Sequence, residues 1–226
     1  MTVPVGPGLV KPGTVDFASV QVRALAVPGA FEFTPVQHGD SRGLFLEWFK
    51  VDKLSEAVGR PLDLQQANLS VSRAGTLRGV HFADVPPGQA KYVTCPRGAA
   101  IDFIVDIRVG SPTFGAVDAV RLDSEHRRAV YLAEGLGHAF LALEDDTTLT
   151  YLCSTGYSPG REHGINPLDP ALGLPLPSGA ELGTEFLLSD KDTSAPTLQE
   201  AADSGLLPTW EACRPYLAAP RTTTGE

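Results

Sequence analysis

The stretch GTLRGVHF (75–82) sets Arg78 and His81 three residues apart in one short apolar run. An imidazole can take or return a proton near neutral pH. Read alone, His81 between Val80 and Phe82 is a satisfied core histidine. Read with Arg78 and with Gln89-Ala90-Lys91, just after the turn Pro86-Pro87-Gly88, it belongs to a cationic pocket suited to an anion. Lys91 by itself would be a solvated strand edge. A metal site is the competing reading, but the five histidines (38, 81, 126, 138 and 163) include no pair at i, i+2 or i, i+4. A set of His81, His138 and a carboxylate is what that reading has left. No G-x-S-x-G elbow, G-x-G-x-x-G loop or G-x-x-x-x-G-K-[ST] loop is present. The chemistry left open is proton transfer by His, Tyr and carboxylate.

Short strands must position these groups. Apolar, β-branched runs recur at 45–49, 64–72, 77–82, 91–95, 100–108, 117–122, 129–132, 139–143 and 147–153, divided by Gly, Pro and Asp clusters. Many strands with regular turn signals predict an all-β sandwich or barrel. In IDFIVDIR, Ile101, Phe103, Val105 and Ile107 share one face, and Asp102, Ile104, Asp106 and Arg108 the other. That polar face is either half solvated or turned toward an interior cavity. Two helices are expected. Asp52 would cap 53–58, ended by Gly59 and Pro61; Thr197 with Glu200 forms a capping box opening 198–204, closed by Gly205. Residues 158–190, rich in Pro and Gly, read as long loops.

The chain has 226 residues and a formal charge of −9, with 42% hydrophobic and 20% charged residues. That suits one globular domain and argues against nucleic acid as a partner, because no basic stripe could neutralise a phosphate backbone. Cys95, Cys153 and Cys213 include no C-x-x-C pair and read as reduced thiols of a cytoplasmic protein. No run approaches the roughly 20 apolar residues of a membrane span, and the first residues do not read as a signal peptide.

GTLRGVHF (75–82), PGQAKYV (87–93), VDIRVGSPTFG (105–115), EGLGHAF (134–140), YLCSTGYSP (151–159) and LSDKD (188–192) occur in order. Together the six resemble the dTDP-4-dehydrorhamnose 3,5-epimerase family, including its branch that makes deoxysugars for antibiotics. The resemblance implies a cupin-type jelly roll with a few short peripheral helices. It also implies epimerisation of a dTDP-4-keto-6-deoxyhexose, at carbon 3 alone or at carbons 3 and 5, with no cofactor and no metal. His81 would be the base, Asp192 its carboxylate partner, Lys91 the cation at the keto oxygen and Tyr151 the acid on the opposite face. Arg42, Glu47, Gln66, Asn68 and Arg78 would hold the substrate, while Asp102, His138, Tyr157 and Glu162 line or support the pocket.

The resemblance further implies a homodimer. Residues 1–18 are expected as an arm or edge strand, 19–195 as the jelly roll and 196–226 as a helical segment and tail. Gly156 stands where relatives often carry a second aromatic beside Tyr157, and Leu176 where a Trp-Pro pair is common. Two other function classes compete: a metal-dependent cupin enzyme and a non-catalytic sugar-nucleotide binder.

Overall fold

The computed structural model describes residues 14–16 and 19–217. The rest of the expected arm, and the tail beyond residue 217, lie outside them. Among the described residues, fourteen strands form two facing antiparallel sheets and a separate hairpin. The larger sheet has the order β1 (Thr14–Asp16), β2 (Val20–Ala24), β3 (Ala30–Pro35), β11 (Ala129–Leu132), β8 (Lys91–Arg97), β13 (Thr147–Cys153), β6 (Gln66–Ser72). The smaller runs β10 (Val117–Asp123), β9 (Ala99–Val105), β12 (Gly137–Ala142), β7 (Leu77–Ala83), β14 (Glu162–Gly164). Among the described residues, β4 (Gln37–Asp40) and β5 (Gly43–Leu46) pair only with each other.

Three apolar layers hold this together. The interior layer, between the sheets, is built from Val93, Cys95 and Leu149 on one side and Ile104, Leu122 and Phe140 on the other. The outer face of the larger sheet buries Val22, Phe33 and Tyr92 under α1 (Val51–Val58), which contributes Leu54 and Val58. Eight residues are too few for a stable isolated helix, so α1 depends on that burial, worth roughly 1.5–3 kcal/mol for a Leu of this kind. The outer face of the smaller sheet buries Leu77, Phe103, Val105 and Leu141 beneath Leu198 and Ala201 of α4 (Leu198–Asp203).

Several expectations need correction. The run 100–108 is strand only to Val105, and both of its faces are covered: Phe103 and Val105 lie beneath α4, while Asp102 and Ile104 face the interior. Asp106 and Arg108 leave the strand and pair with each other, both fully buried. Their two parallel bonds, Nε to Oδ1 and Nη2 to Oδ2, are each 2.8 Å, and Arg108 stacks 4.7 Å from the ring of Trp210. α1 begins at Val51 with Lys50 as an N-cap that makes no side-chain capping bond. Asp52 therefore sits inside the first turn, where its charge favours the positive helix end. Gly59 does end α1, at φ 86°, donating its N–H to the Ser55 carbonyl. The capping box of Thr197 and Glu200 opens α4. The run 45–49 is not one strand, because β5 ends at Leu46 and Phe49 turns inward against Tyr92, ring centroids 5.1 Å apart. Among the 158–190 loops lie β14, α2 (Gly179–Leu182) and the start of α3 (Asp190–Thr193).

Candidate active site

β7 and β8 follow one another in the chain but belong to opposite sheets. Arg78 on β7 and Lys91 on β8 therefore come at one space from two sides. From the smaller sheet, His81 is directly opposite His138 on β12, and His138 opposite Ile104 on β9. Ile104 and Phe140 belong to the interior layer, so strand alternation turns His138 and Asp102 inward with them. From the larger sheet, Lys91 is opposite Cys153, and Cys153 opposite Gln66. Tyr151, half-buried against the interior layer, is opposite Asn68. The site thus occupies one end of the sandwich.

Arg78 and His81 reach the same face because β7 carries one extra residue there. The register with β12 shifts between His138, paired with His81, and Phe140, paired with Arg78. Three steps on one strand match two on the other, which is a β-bulge. Gly79 occupies it at φ 127°, and a Cβ there would lie 2.4 Å from that of Ala139.

His81 Nε2 lies 2.7 Å from Oδ1 of Asp192, the third residue of α3. A carboxylate accepts, so Nε2 carries the hydrogen and Nδ1 keeps a lone pair for the site. The imidazole side chain is 43% exposed and the carboxylate only 6%, so the base is open and its partner enclosed. Burial pushes the Asp192 carboxyl up, but the bonds from His81, Ser189 and the Gly79 backbone outweigh it and hold the acid below its ordinary range. Beside this pair, His138 Nε2 is 2.7 Å from Asp102 Oδ2, both buried.

Across the space, Lys91 is buried, and burial lowers its pKa against the opposing pull of Cys153, Glu162 and Asp102. Burial also raises the Tyr151 hydroxyl, with Arg78 acting the other way. Gln66 donates to Asn68 Oδ1 at 2.7 Å and accepts from the Tyr157 backbone N–H at 2.8 Å. Asn68 in turn reaches the Cys153 sulfur at 3.8 Å. Glu162 enters from β14 and accepts from the Ser158 N–H at 3.2 Å. A cleft of about 200 Å³ lined by Ala83, Gly88, Thr155, Gly156 and Glu162 opens alongside.

The structure thus brings together His81, Asp192, Lys91, Tyr151, Gln66, Asn68, Arg78, Asp102, His138 and Glu162, with Tyr157 at the rim, its side chain exposed. It does not bring Arg42 and Glu47. These lie on the exposed β4–β5 hairpin and the turn after it, paired with Asp40 and Lys50. They share no sheet with the rest, so nothing within one chain carries them to the site. Cys153, which read only as a reduced thiol, faces Lys91; a lone cysteine gives no local signal of such a place. The pairing of His138 with Asp102 was equally hidden, since 36 residues separate them. Among the described residues no group of three His, Cys, Asp or Glu is placed to hold a metal ion.

Two facing antiparallel sheets with a His–Asp pair at one end define a cupin-type jelly roll. The dTDP-4-dehydrorhamnose 3,5-epimerase family model matches residues 24–200, and the chain belongs to that family. It is 55% identical over 195 residues to a dTDP-4-dehydrorhamnose 3-epimerase of Streptomyces niveus, covering 86% of this chain and 92% of that one. It is 56% identical over 195 residues to a dTDP-4-dehydrorhamnose 3,5-epimerase of Mycolicibacterium smegmatis, covering 86% and 94%. Among solved structures, a 3'-monoepimerase from Streptomyces bikiniensis in complex with dTDP-quinovose superposes with a TM-score of 0.81 at 51% identity, covering 84% of this chain and 94% of that one. Identity is thus as high to a one-centre as to a two-centre epimerase.

Proposed function

We propose that this chain epimerises a dTDP-4-keto-6-deoxyhexose at carbon 3. The observation that carries this reading is the opposition of His81 on one sheet, paired with Asp192 of α3, to Tyr151 and Lys91 on the other. Inversion needs a base on one side of the carbon and an acid on the other, and a charge at the ketone oxygen as the enolate forms. His81 Nδ1 takes the proton, Asp192 steadies the imidazolium, the Lys91 ammonium faces the developing oxyanion, and the Tyr151 hydroxyl returns a proton to the opposite side. Positioned groups of this kind contribute on the order of 10²–10⁴-fold each. Carbon 5 lies on the other side of the ketone, so the same base reaches it only after the ring has turned.

The substrate brings roughly two negative charges to a chain of net charge −9. Arg78 and Lys91 act at contact, while distant acids are screened over roughly 8–10 Å. A pure binder has no use for a base and an acid on opposed sheets, which favours catalysis over that reading.

The functional unit is a homodimer in this reading. β6 is an edge of the larger sheet and exposes Leu69 and Val71, at 64% and 55%. The hairpin exposes Leu44 and Phe45, at 47% and 67%. An open edge is a template for a further strand. A hairpin from a second copy laid there would carry Arg42 and Glu47 toward Asn68 and Gln66. A monomer by light scattering rejects this assembly. Three free, buried cysteines suit the reducing cytoplasm.

The test of the activity is incubation with dTDP-4-keto-6-deoxyglucose in deuterated water, followed by NMR. Deuterium at carbon 3 with inversion is expected; a keto sugar that keeps all its ring protons contradicts the proposal.

A further inference from the structure

Arg78 is exposed on β7, yet its guanidinium has no carboxylate partner among the described residues of a chain whose net charge is −9. Its one hydrogen bond to those residues runs from Nε to the hydroxyl of Ser72, 3.2 Å away. Ser72 is the last residue of β6 and only 5% exposed. β6 belongs to the larger sheet and β7 to the smaller, so this bond ties the two sheets together across the turn between them. The anchor is rigid: Ser72 pairs with Thr147, itself fully buried and bonded through its hydroxyl to the Glu144 carbonyl at 2.8 Å. A guanidinium is a planar fork of five N–H groups. Held at Nε, it keeps Nη1 and Nη2 for a ligand, the edge that meets a phosphate in two parallel bonds. The Arg78 charge acts on the Tyr151 hydroxyl, so that edge borders the catalytic space.

We infer that Ser72 is a positioning residue for substrate binding: its hydroxyl holds Arg78 in the orientation that grips the diphosphate of a dTDP-sugar. The inference rests on the epimerase reading and deepens it. A loose arginine side chain loses rotamer freedom when it closes on an anion, whereas one already held loses less. In an acidic chain a loose guanidinium also has carboxylates to fold back on, as Arg42 does on Asp40. A carboxylate in the place of Ser72 would hold Arg78 harder, but it would cancel the charge that the diphosphate needs. A buried neutral hydroxyl fixes the side chain and leaves its charge intact.

The experiment titrates dTDP, and thymidine, which lacks the phosphates, into the wild-type chain, Ser72→Ala, Arg78→Ala and the double variant, followed by ligand-observed NMR. Ser72→Ala should weaken dTDP binding about three- to tenfold and leave thymidine within about twofold. In the Arg78→Ala background the same change should cost nothing further, since Ser72 acts through Arg78. Wild-type dTDP affinity in Ser72→Ala, beside a loss in Arg78→Ala, overturns the inference and leaves the epimerase reading standing. Equal losses on dTDP and thymidine overturn it as well, because a merely structural role lowers both alike. Additive losses in the double variant do the same. If Arg78→Ala binds dTDP as tightly as wild type, Arg78 does not hold the diphosphate and the inference falls with that assignment. A wild-type chain without affinity for dTDP removes the epimerase reading itself, and the inference with it.

Discussion

Arg78 and His81 stand three residues apart on β7 yet face the same interior space. Regular alternation would send them to opposite faces of the sheet. The extra residue at Gly79–Val80, opposite Ala139, restores them to one side. The pocket's cation and its base thus owe their meeting to a position that only glycine can fill.

Gly79→Ala is accordingly expected to damage both fold and activity. Its Cβ would lie 2.4 Å from the Ala139 Cβ and 2.7 Å from the His138 carbonyl oxygen, at a φ of 127°. Neither neighbour is a flexible chain end. A loss of more than about 3 kcal/mol in denaturant unfolding is predicted, with activity falling further than the folded fraction.

Asp192→Asn keeps the shape of the His81 pair but loses its charge. kcat should fall by about 10²–10⁴-fold, while KM changes little. The Asp192 carboxyl titrates below its ordinary value in the folded chain, so its contribution to stability is present at neutral pH. That contribution should fade as pH drops from the ordinary carboxylate value through the depressed one.

Lys91 and Tyr151 move in opposite directions with burial: the amine is lowered and the phenol raised. Both must be protonated to act. Burial lowers the Lys91 ammonium, so the alkaline limb of the kcat/KM profile that its loss of a proton produces should fall below the ordinary lysine value. Lys91→Arg should weaken activity and remove that limb, since guanidinium stays charged. Tyr151→Phe should leave the position of the limb unchanged.

The Asp106–Arg108 pair predicts a stability effect remote from the site. Burial raises the Asp106 carboxyl, but Arg108, Ser111 and Thr113 outweigh it, and the net direction is down. Arg108→Met would strand a buried carboxylate and should cost about 3–5 kcal/mol in urea unfolding, the loss shrinking at acid pH as Asp106 takes up a proton.

Much of the molecule was legible from residue types. Alternating runs between Pro and Gly turns marked most strands of both sheets, and Thr197 with Glu200 marked the start of α4. β2 and β3 were missed because Gly29 and the short apolar runs around it gave a weak pattern, and both depend on the sheet for their burial. The capping role assigned to Asp52 failed because α1 starts one residue before it, drawn by the burial of Leu54 and Val58. In the site, the local motif disclosed Arg78, His81 and Lys91. The partnership of His81 with Asp192 spans 111 residues, which no local pattern encodes, and only the resemblance pointed to it. For Asp102 the alternation of IDFIVDIR left two readings open, a half-solvated face or an interior one. Arg42 and Glu47 show the opposite case, named by resemblance yet held apart from the site within one chain.

The central claim is that His81 on one sheet and Tyr151 on the other serve the two sides of a single carbon. The most direct measurement follows carbon-3 deuterium entry and inversion together, by NMR in deuterated water, for wild type, His81→Ala and Tyr151→Phe. The account predicts that His81→Ala, folded by circular dichroism, loses both, whereas Tyr151→Phe keeps exchange and loses most of its inversion. Undiminished exchange in His81→Ala, or inversion at the wild-type rate in Tyr151→Phe, would contradict it.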